Sequence, residues 1–196
     1  MRHLIVFNIM SLDGFLAGPD GELDWFTEDL FRKGTGVADL IRENLNSVDA
    51  ILLGRLTYQE LAGYWPDATE SDPVITERMN NVPKIVFSKT LSKVAWGRWN
   101  TARLVKGDPA EEVRRLKEEP GKDLVIYGSG QLVSALMKEK LIDEFQLFIQ
   151  PVVLGRGKPE FMDFKERYWL RLVESRQLKQ GALFVRYQPA EGPSAI

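Results

Sequence analysis

The chain contains no cysteine and one histidine, His3. Without cysteine there are no disulfides, no thiolate nucleophile and no Cys-ligated metal site. Without a second histidine there is no HExxH zinc motif and no triad built on another imidazole. His3 opens an apolar stretch and reads as structural. No apolar run approaches the roughly 20 residues of a bilayer span. The apolar N-terminus meets Asp13 too soon for a signal peptide, so a cytoplasmic protein is expected, with no membrane partner. The net charge is only -2, which gives no basis for a nucleic-acid partner. Asp13, Asp20, Glu22 and Asp24 cluster in sequence, but their spacing fails the calcium-loop pattern. They read as a solvated acidic loop, and no metal is expected. No repeat, low-complexity linker or domain boundary interrupts the 196 residues, so one domain over 1–196 is expected, with a frayed tail from 189 to 196.

What the chain does have is organised around Leu124 to Leu136. Leu124-Val125-Ile126-Tyr127 reads as a buried strand. Gly128-Ser129-Gly130 permits a sharp turn. Leu132, Val133, Leu136 and Met137 then recur at helical spacing. A strand, a glycine turn and a helix N-terminus together can hold an anion, because the first helical N–H groups lack internal partners. The same residues equally describe a tight strand-to-helix connection.

Other segments extend the pattern. Leu4 to Met10 reads as a central strand, followed by a long loop, Ser11 to Gly21, with three glycines. Asp24-Trp25-Phe26 opens a helical stretch, and Val37 to Leu45 gives a further apolar helix face. Ala50 to Leu53 and Lys84 to Phe87 read as short buried strands. Helical turns are expected over Leu56–Leu61 and Thr76–Asn81, and one or two short strands over Val94–Val105. Asp108-Pro109-Ala110-Glu111 is a helix start, with Asp as cap and Pro at the first position; that helix runs to about Glu119. Glu144 to Gln150 is the next strand. Arg171–Gln177 and Leu183–Tyr187 form a final antiparallel pair. Strands alternate with helices until about residue 140, then strands follow strands. This is the signature of an α/β protein with a largely parallel sheet finished by antiparallel strands.

Three strand ends carry phosphate-friendly groups. Gly54-Arg55-Leu56-Thr57 offers a backbone donor, a guanidinium and a hydroxyl. Ser88-Lys89-Thr90 offers two hydroxyls and an ammonium. Gly128-Ser129-Gly130 offers backbone N–H groups. Alone, Arg55 reads equally as a surface ion-pair partner and Ser88-Lys89-Thr90 as a solvated loop. Together they suit a dinucleotide, which needs a neutral cradle for pyrophosphate and cations for an extra phosphate. Trp25, Phe26, Tyr64 and Trp65 read as core, or as walls for a flat heteroaromatic substrate.

Five segments, taken in order, resemble a known family. They are Ser11-Leu12-Asp13-Gly14-Phe15-Leu16-Ala17, Leu53-Gly54-Arg55-Leu56-Thr57-Tyr58, Phe87-Ser88-Lys89-Thr90, Tyr127-Gly128-Ser129-Gly130 and Pro151-Val152-Val153-Leu154-Gly155-Arg156-Gly157. The set resembles the dihydrofolate reductase superfamily, in the branch of the reductase domain of the riboflavin-biosynthesis deaminase–reductase. The resemblance implies a three-layer fold with a mostly parallel eight-stranded sheet and NADPH as cofactor. It implies that Gly54, Arg55 and Thr57 hold the cofactor's phosphates and that Ser88 and Lys89 face the 2'-phosphate. Gly128, Ser129, Gly130, Gln131 and Leu132 would line the pyrophosphate, and Leu16 and Ala17 the nicotinamide. Asp13 and the Asp24-Trp25 region would lie on the substrate side, with the proton coming from Asp13, Asp24 or water; Trp25, Tyr64 and Trp65 are the residues that could wall the substrate. Relatives often carry Gly-Gly where this chain has Gly128-Ser129. Glu28 and Asp29 lie near the pteridine-binding carboxylate of the folate enzymes, without its local motif. The chain also lacks the Cys and His ligands of a deaminase domain. The expected activity is a stand-alone NADPH-dependent reductase acting on a small flat pterin, pyrimidinone or carbonyl substrate; the alternative is a non-catalytic binding protein that kept the cofactor site. The apolar, glycine-containing Phe148–Phe161 stretch predicts a homodimer.

Overall fold

The structure is a computed structural model and describes residues 1–26, 36–69, 71–162, 164 and 166–192. Its centre is an eight-stranded sheet in the order β5-β4-β3-β6-β1-β7-β10-β9. The strands are β1 (Leu4–Ser11), β3 (Val48–Gly54), β4 (Lys84–Phe87), β5 (Ala102–Val105), β6 (Asp123–Tyr127), β7 (Glu144–Gln150), β9 (Leu170–Gln177) and β10 (Leu183–Pro189). All neighbours from β5 to β7 are parallel, whereas β10 runs antiparallel to both β7 and β9. This is the expected mostly parallel sheet with an antiparallel C-terminal end. A separate ribbon pairs β2 (Phe15–Ala17) with β8 (Lys158–Pro159). The long glycine loop expected after β1 therefore contains a short strand.

Five helices have both ends among the described residues: α1 (Val37–Ser47), α2 (Arg55–Tyr64), α3 (Pro73–Asn81), α4 (Pro109–Glu118) and α5 (Gly130–Lys138). Residues 24–26 are also helical. They divide into two layers because strand side chains alternate across the sheet. Leu4, Val6 and Met10 of β1 join the cluster that α4 and α5 cover through Val113, Leu116, Leu132 and Leu136. Ile5 and Phe7 face the other cluster, covered by α1, α2 and α3 through Leu40, Leu45, Tyr58 and Met79. Leu52, Leu124 and Ile126 are wholly removed from solvent, worth about 1.5–3 kcal/mol each relative to exposure.

Helix starts follow local chemistry. Asp108 caps α4 by accepting from Ala110 N–H at 2.9 Å, with Pro109 next. Asp72 caps α3 in the same way, accepting from Val74 and Ile75 at 3.0 and 3.2 Å. That helix thus begins at Pro73, three residues before the expected start, and the Asp-Pro pair was its signal. Between Val94 and Val105 there is one strand, β5, and an isolated Trp96–Trp99 bridge.

Two expectations change. The sheet holds the chain beyond 189: Pro189 pairs with Leu170, and Ala190 N–H donates to Trp169 at 2.9 Å. Of the tail expected to fray, 193–196 lie outside the described residues. The Phe148–Phe161 stretch behind the pairing expectation divides: Phe148 is fully buried and β7 is flanked by β1 and β10, whereas Val153 and Phe161 are exposed. The edge at this end of the sheet is β9, whose Leu172 and Val173 are exposed, as are Trp169 and Leu183 beside it.

Candidate functional site at the carboxyl edge

In a parallel sheet the strands end together, and loops at that edge are where α/β proteins bind ligands. Register makes the edge level here: Leu53 pairs with Tyr127, and Gly54 with Phe87. The turns after β3, β4 and β6 are consequently neighbours.

Glycine sets how close they come. A β-carbon on Gly128 would lie 2.5 Å from Thr57 Oγ1, and one on Gly54 would stand 3.0 Å from Ser129 Cβ and closer still to its Oγ. Gly54, Thr57, Gly128 and Ser129 are thus brought together, as the resemblance implied. Gly128 and Ser129 both have φ of 62°, and no cis peptide occurs among the described residues. Glycine takes that conformation freely, whereas Ser129 does so at some cost.

Two helices begin at this junction. α2 starts after Gly54 and α5 after Ser129, neither with a side-chain cap. In α5 the first backbone bond to the turn is Val133 N–H to Ser129 O at 3.0 Å. The amides of Gly130, Gln131 and Leu132, and those of Arg55, Leu56 and Thr57, are the donors a helix leaves without internal partners. α3 and α4, by contrast, have aspartate caps. Two uncapped N-termini side by side, with partial positive charge, fit a pyrophosphate.

The other predicted cofactor residues surround this junction. Arg55 is exposed and makes one bond, to Gln59 at 3.2 Å. Ser88 follows β4 directly beside it, and its hydroxyl accepts from the N–H groups of Thr90 and Leu91 at 3.2 and 3.1 Å, closing a turn that leaves Lys89 exposed. Leu16 and Ala17 lie on β2, whose partner β8 leads into Pro159 and Glu160. Those two carbonyls stand where a β-carbon of Gly130 would go, Glu160 O at 2.8 Å. The missing side chain of Gly130 therefore accommodates protein backbone rather than a ligand.

The predicted substrate residues do not gather there. Trp65 is buried, and its carbonyl accepts from Asn80 Nδ2 at 3.0 Å. Asn80 also bonds Trp96 Nε1 at 2.7 Å and, through its carbonyl, Lys84 Nζ at 3.0 Å. Lys84 is the first residue of β4, so this group belongs to the opposite, amino edge. There the Lys84 ammonium lies over the Trp96 ring at 4.3 Å, and burial pushes its pKa down to about 7. Tyr64 is exposed at the far end of α2 and bonded to Ser71. Tyr64 and Trp65 are therefore not walls of this site. Trp25 stands edge-on to Phe26 and donates to Glu22 O at 3.2 Å, and Asp24 is exposed. No hydrogen bond among the described residues joins either to the glycine turn. Glu28 and Asp29 lie outside the described residues.

Asp13 is a clasp. It accepts from Ser11 Oγ at 2.7 Å, Leu154 N–H at 3.1 Å and Gly155 N–H at 2.8 Å. The Ser11 bond first, then those of the loop, hold its carboxyl below the ordinary range, so it stays ionised. It joins the first loop to the 151–157 loop, and an ionised clasp is a poor proton donor.

Sequence reasoning missed Asn8 and Glu160. Both are buried, and Asn8 Nδ2 donates to the Glu160 carboxylate at 2.8 and 3.0 Å. Asn8 Oδ1 accepts from Gly128 N–H at 2.6 Å. The signal was present: in the alternation Leu4, Val6, Asn8, Met10, an amide occupies a core position.

This is a dihydrofolate reductase-like α/β fold with two uncapped helix N-termini side by side at its carboxyl edge. The chain belongs to the RibD C-terminal domain family, whose model matches residues 2–184. It is 35% identical over 188 residues to the uncharacterized protein YyaP of Bacillus subtilis, covering 95% of this chain and 94% of that one. The fold is shared with a solved structure from Shewanella sp. PV-4, at a TM-score of 0.75 and 24% identity, covering 96% of this chain and 99% of that one. It is also shared with a pyrimidine reductase-like protein of Corynebacterium diphtheriae, at a TM-score of 0.68 and 15% identity, covering 97% and 93%.

Proposed function

We propose that this chain is a NADPH-dependent reductase of a small, flat pterin-, pyrimidinone- or carbonyl-type substrate. The observation that carries the reading is the pair of uncapped helix N-termini, α2 and α5, drawn together by Gly54, Thr57, Gly128 and Ser129. Membership of a reductase-domain family supports it. The α5 amides from Gly130 to Leu132 would bind pyrophosphate; Arg55, Thr57, Ser88 and Lys89 would hold the remaining phosphate; Leu16 and Ala17 would shelter the nicotinamide. Bound there, NADPH would supply the hydride. The chain's own part is to position the two rings and exclude water. With Asp13 committed to its loop, the proton would come from Asp24 or solvent.

That commitment of Asp13 also favours the second reading, a binding protein that kept the cofactor site without the reaction. A panel of pterins, pyrimidinones and carbonyl compounds, followed by loss of NADPH absorbance, separates the two: turnover of any member supports the reductase, whereas tight NADPH binding without turnover supports the binding protein. We also propose a cytoplasmic, single-domain chain that pairs with a second copy along the β9 edge, where Trp169, Leu172 and Val173 are exposed.

A further inference from the structure

Glu160 stands behind the α5 side of the nucleotide junction, where it meets the loop after β1, the start of α5 and Asn8. Its N–H donates to Gly14 O at 2.9 Å, in the loop after β1. Its carbonyl fills the space beside Gly130, the first residue of α5. Its carboxylate, fully buried, takes both of its hydrogen bonds from one group, Asn8 Nδ2. The other end of that amide, Oδ1, takes the N–H of Gly128 at 2.6 Å.

An asparagine amide is nearly symmetric in shape and can be turned over unless its partners differ. Here they differ: the Glu160 carboxyl oxygens, at 2.8 and 3.0 Å, and the Gly128 carbonyl, at 3.4 Å, all accept from Nδ2 and so require it to face them. Oδ1 is then left to face Gly128, and a backbone N–H in a turn with φ of 62° is held by an acceptor of the correct kind. We propose that Glu160 is a positioning residue for the cofactor turn: acting through Asn8, it fixes the Gly128 amide and so orients the α5 amides that bind phosphate. The inference deepens the nucleotide reading and rests on it for its consequence, although the relay itself is a property of the free protein.

The relay has a signature that ordinary packing lacks. Burial, offset only by the Asn8 hydrogen bond, raises the Glu160 carboxyl to about 8. The segments packed against it bring few other charges. β1 presents Asn8, the turn presents Gly128 to Gly130, and Ser134 of α5 receives Met162 N–H at 2.9 Å. Asp13, in the loop that contacts Glu160 N–H, is ionised and bonded to 154–155. Lys158 lies two residues away on β8 and is exposed. Lys84, whose pKa is lowered to about 7, lies at the opposite edge of the sheet, so a transition at Gly128 that disappears in Glu160→Gln is assigned to Glu160.

The test uses the ligand-free protein first. Backbone NMR between pH 6.5 and 9.5 is expected to show the Gly128 amide moving through one transition near pH 8 in the wild type. The same amide should stay fixed in Glu160→Gln and in Asn8→Leu, which cuts the relay. Fluorescence titration with NADPH is then expected to give binding within twofold of wild type for Glu160→Gln, whose amide oxygen still accepts from Asn8. Glu160→Met should bind at least tenfold more weakly, and Asn8→Leu combined with Glu160→Met no more weakly than Asn8→Leu alone. A Gly128 resonance unmoved in the wild type overturns the relay, even if Glu160→Met does not fold. Glu160→Met binding like wild type overturns the effect on the cofactor. Absence of NADPH binding by the wild type itself removes the nucleotide reading and, with it, the cofactor role of Glu160, while the NMR result still decides the relay.

Discussion

Gly54 and Ser129 are in contact across the gap between two helix N-termini, and a β-carbon on Gly54 would stand 3.0 Å from that of Ser129 and closer to its hydroxyl. The first prediction tests this contact. Gly54 has φ of -78°, which alanine adopts without strain, so the cost of Gly54→Ala is overpacking, about 1–3 kcal/mol. Ser129→Gly removes the obstructing side chain and also relaxes a left-handed serine, worth about 1–2 kcal/mol. The double variant should melt at or above the wild-type temperature, whereas Gly54→Ala alone should melt several degrees lower. Additive melting shifts would show that the two residues do not meet.

The Glu160 contribution to stability should fall as pH rises. An unfolded Glu titrates near 4.3, whereas buried Glu160 titrates at about 8. Below the lower value both states hold the proton and nothing is lost. Between the two, the unfolded chain releases a proton that the native state keeps, which costs at most about 1.4 kcal/mol per pH unit. Above about 8 both are ionised and the loss is complete. In denaturant unfolding from pH 4.5 to 8.5 the wild type should therefore decline relative to Glu160→Gln, a comparison that cancels the opposing rise above about pH 7 from buried Lys84, whose proton the unfolded chain keeps. Parallel profiles for the two proteins would mean that Glu160 is ionised in the native state throughout.

Asp13→Asn should loosen the 151–157 loop, since an amide is a weaker acceptor than the carboxylate now holding Leu154 and Gly155. Arg156 is exposed in that loop. Trypsin should cut after it severalfold faster in the variant, as read by mass spectrometry over time. Because the Asp13 carboxyl lies below the ordinary range, its contribution is present at neutral pH and is lost only in acid. Unchanged cleavage at neutral pH would show that the clasp does not restrain the loop.

Leu172→Asp on the exposed edge strand should convert a dimer into a monomer without lowering the melting temperature of the isolated subunit. Light scattering at micromolar concentration measures both proteins. A wild-type monomer mass ends the pairing proposal.

The parallel strands were legible because they carry apolar runs, with glycine at the carboxyl ends of β3 and β6, and Asp108-Pro109 marks a helix as plainly in sequence as in structure. Asp72-Pro73 carried the same information and was passed over in favour of the later Thr76. The junction of α2 and α5 was legible through its glycines, although what lies against each was not: Gly128 meets Thr57, whereas Gly130 meets the backbone of Pro159 and Glu160. A side chain at Gly130 would therefore be driven into the Pro159 and Glu160 backbone and act through the fold. For Trp65 the sequence left core and binding wall open, because an aromatic residue looks the same in both, and burial decides for the core. Its place at the amino edge follows from α2 running back along the sheet. The Asn8–Glu160 pair spans 152 positions, and only half of it, the amide inside an apolar strand, leaves a local trace.

The central claim is that the junction of α2 and α5 binds NADPH, with Arg55 reading the phosphate that NADH lacks. Calorimetry of both cofactors with wild type and Arg55→Ala tests it most directly. Hydrogen bonds to charged groups contribute roughly 1.5–3 kcal/mol, reduced by exposure and salt. The wild type should therefore prefer NADPH by about tenfold to a few hundredfold. Arg55→Ala should lose most of that preference and bind NADH nearly as before, with Lys89→Ala showing a smaller loss because an ammonium makes no bidentate contact. Equal affinities of the wild-type protein for NADPH and NADH would contradict both the cofactor assignment and the role of Arg55.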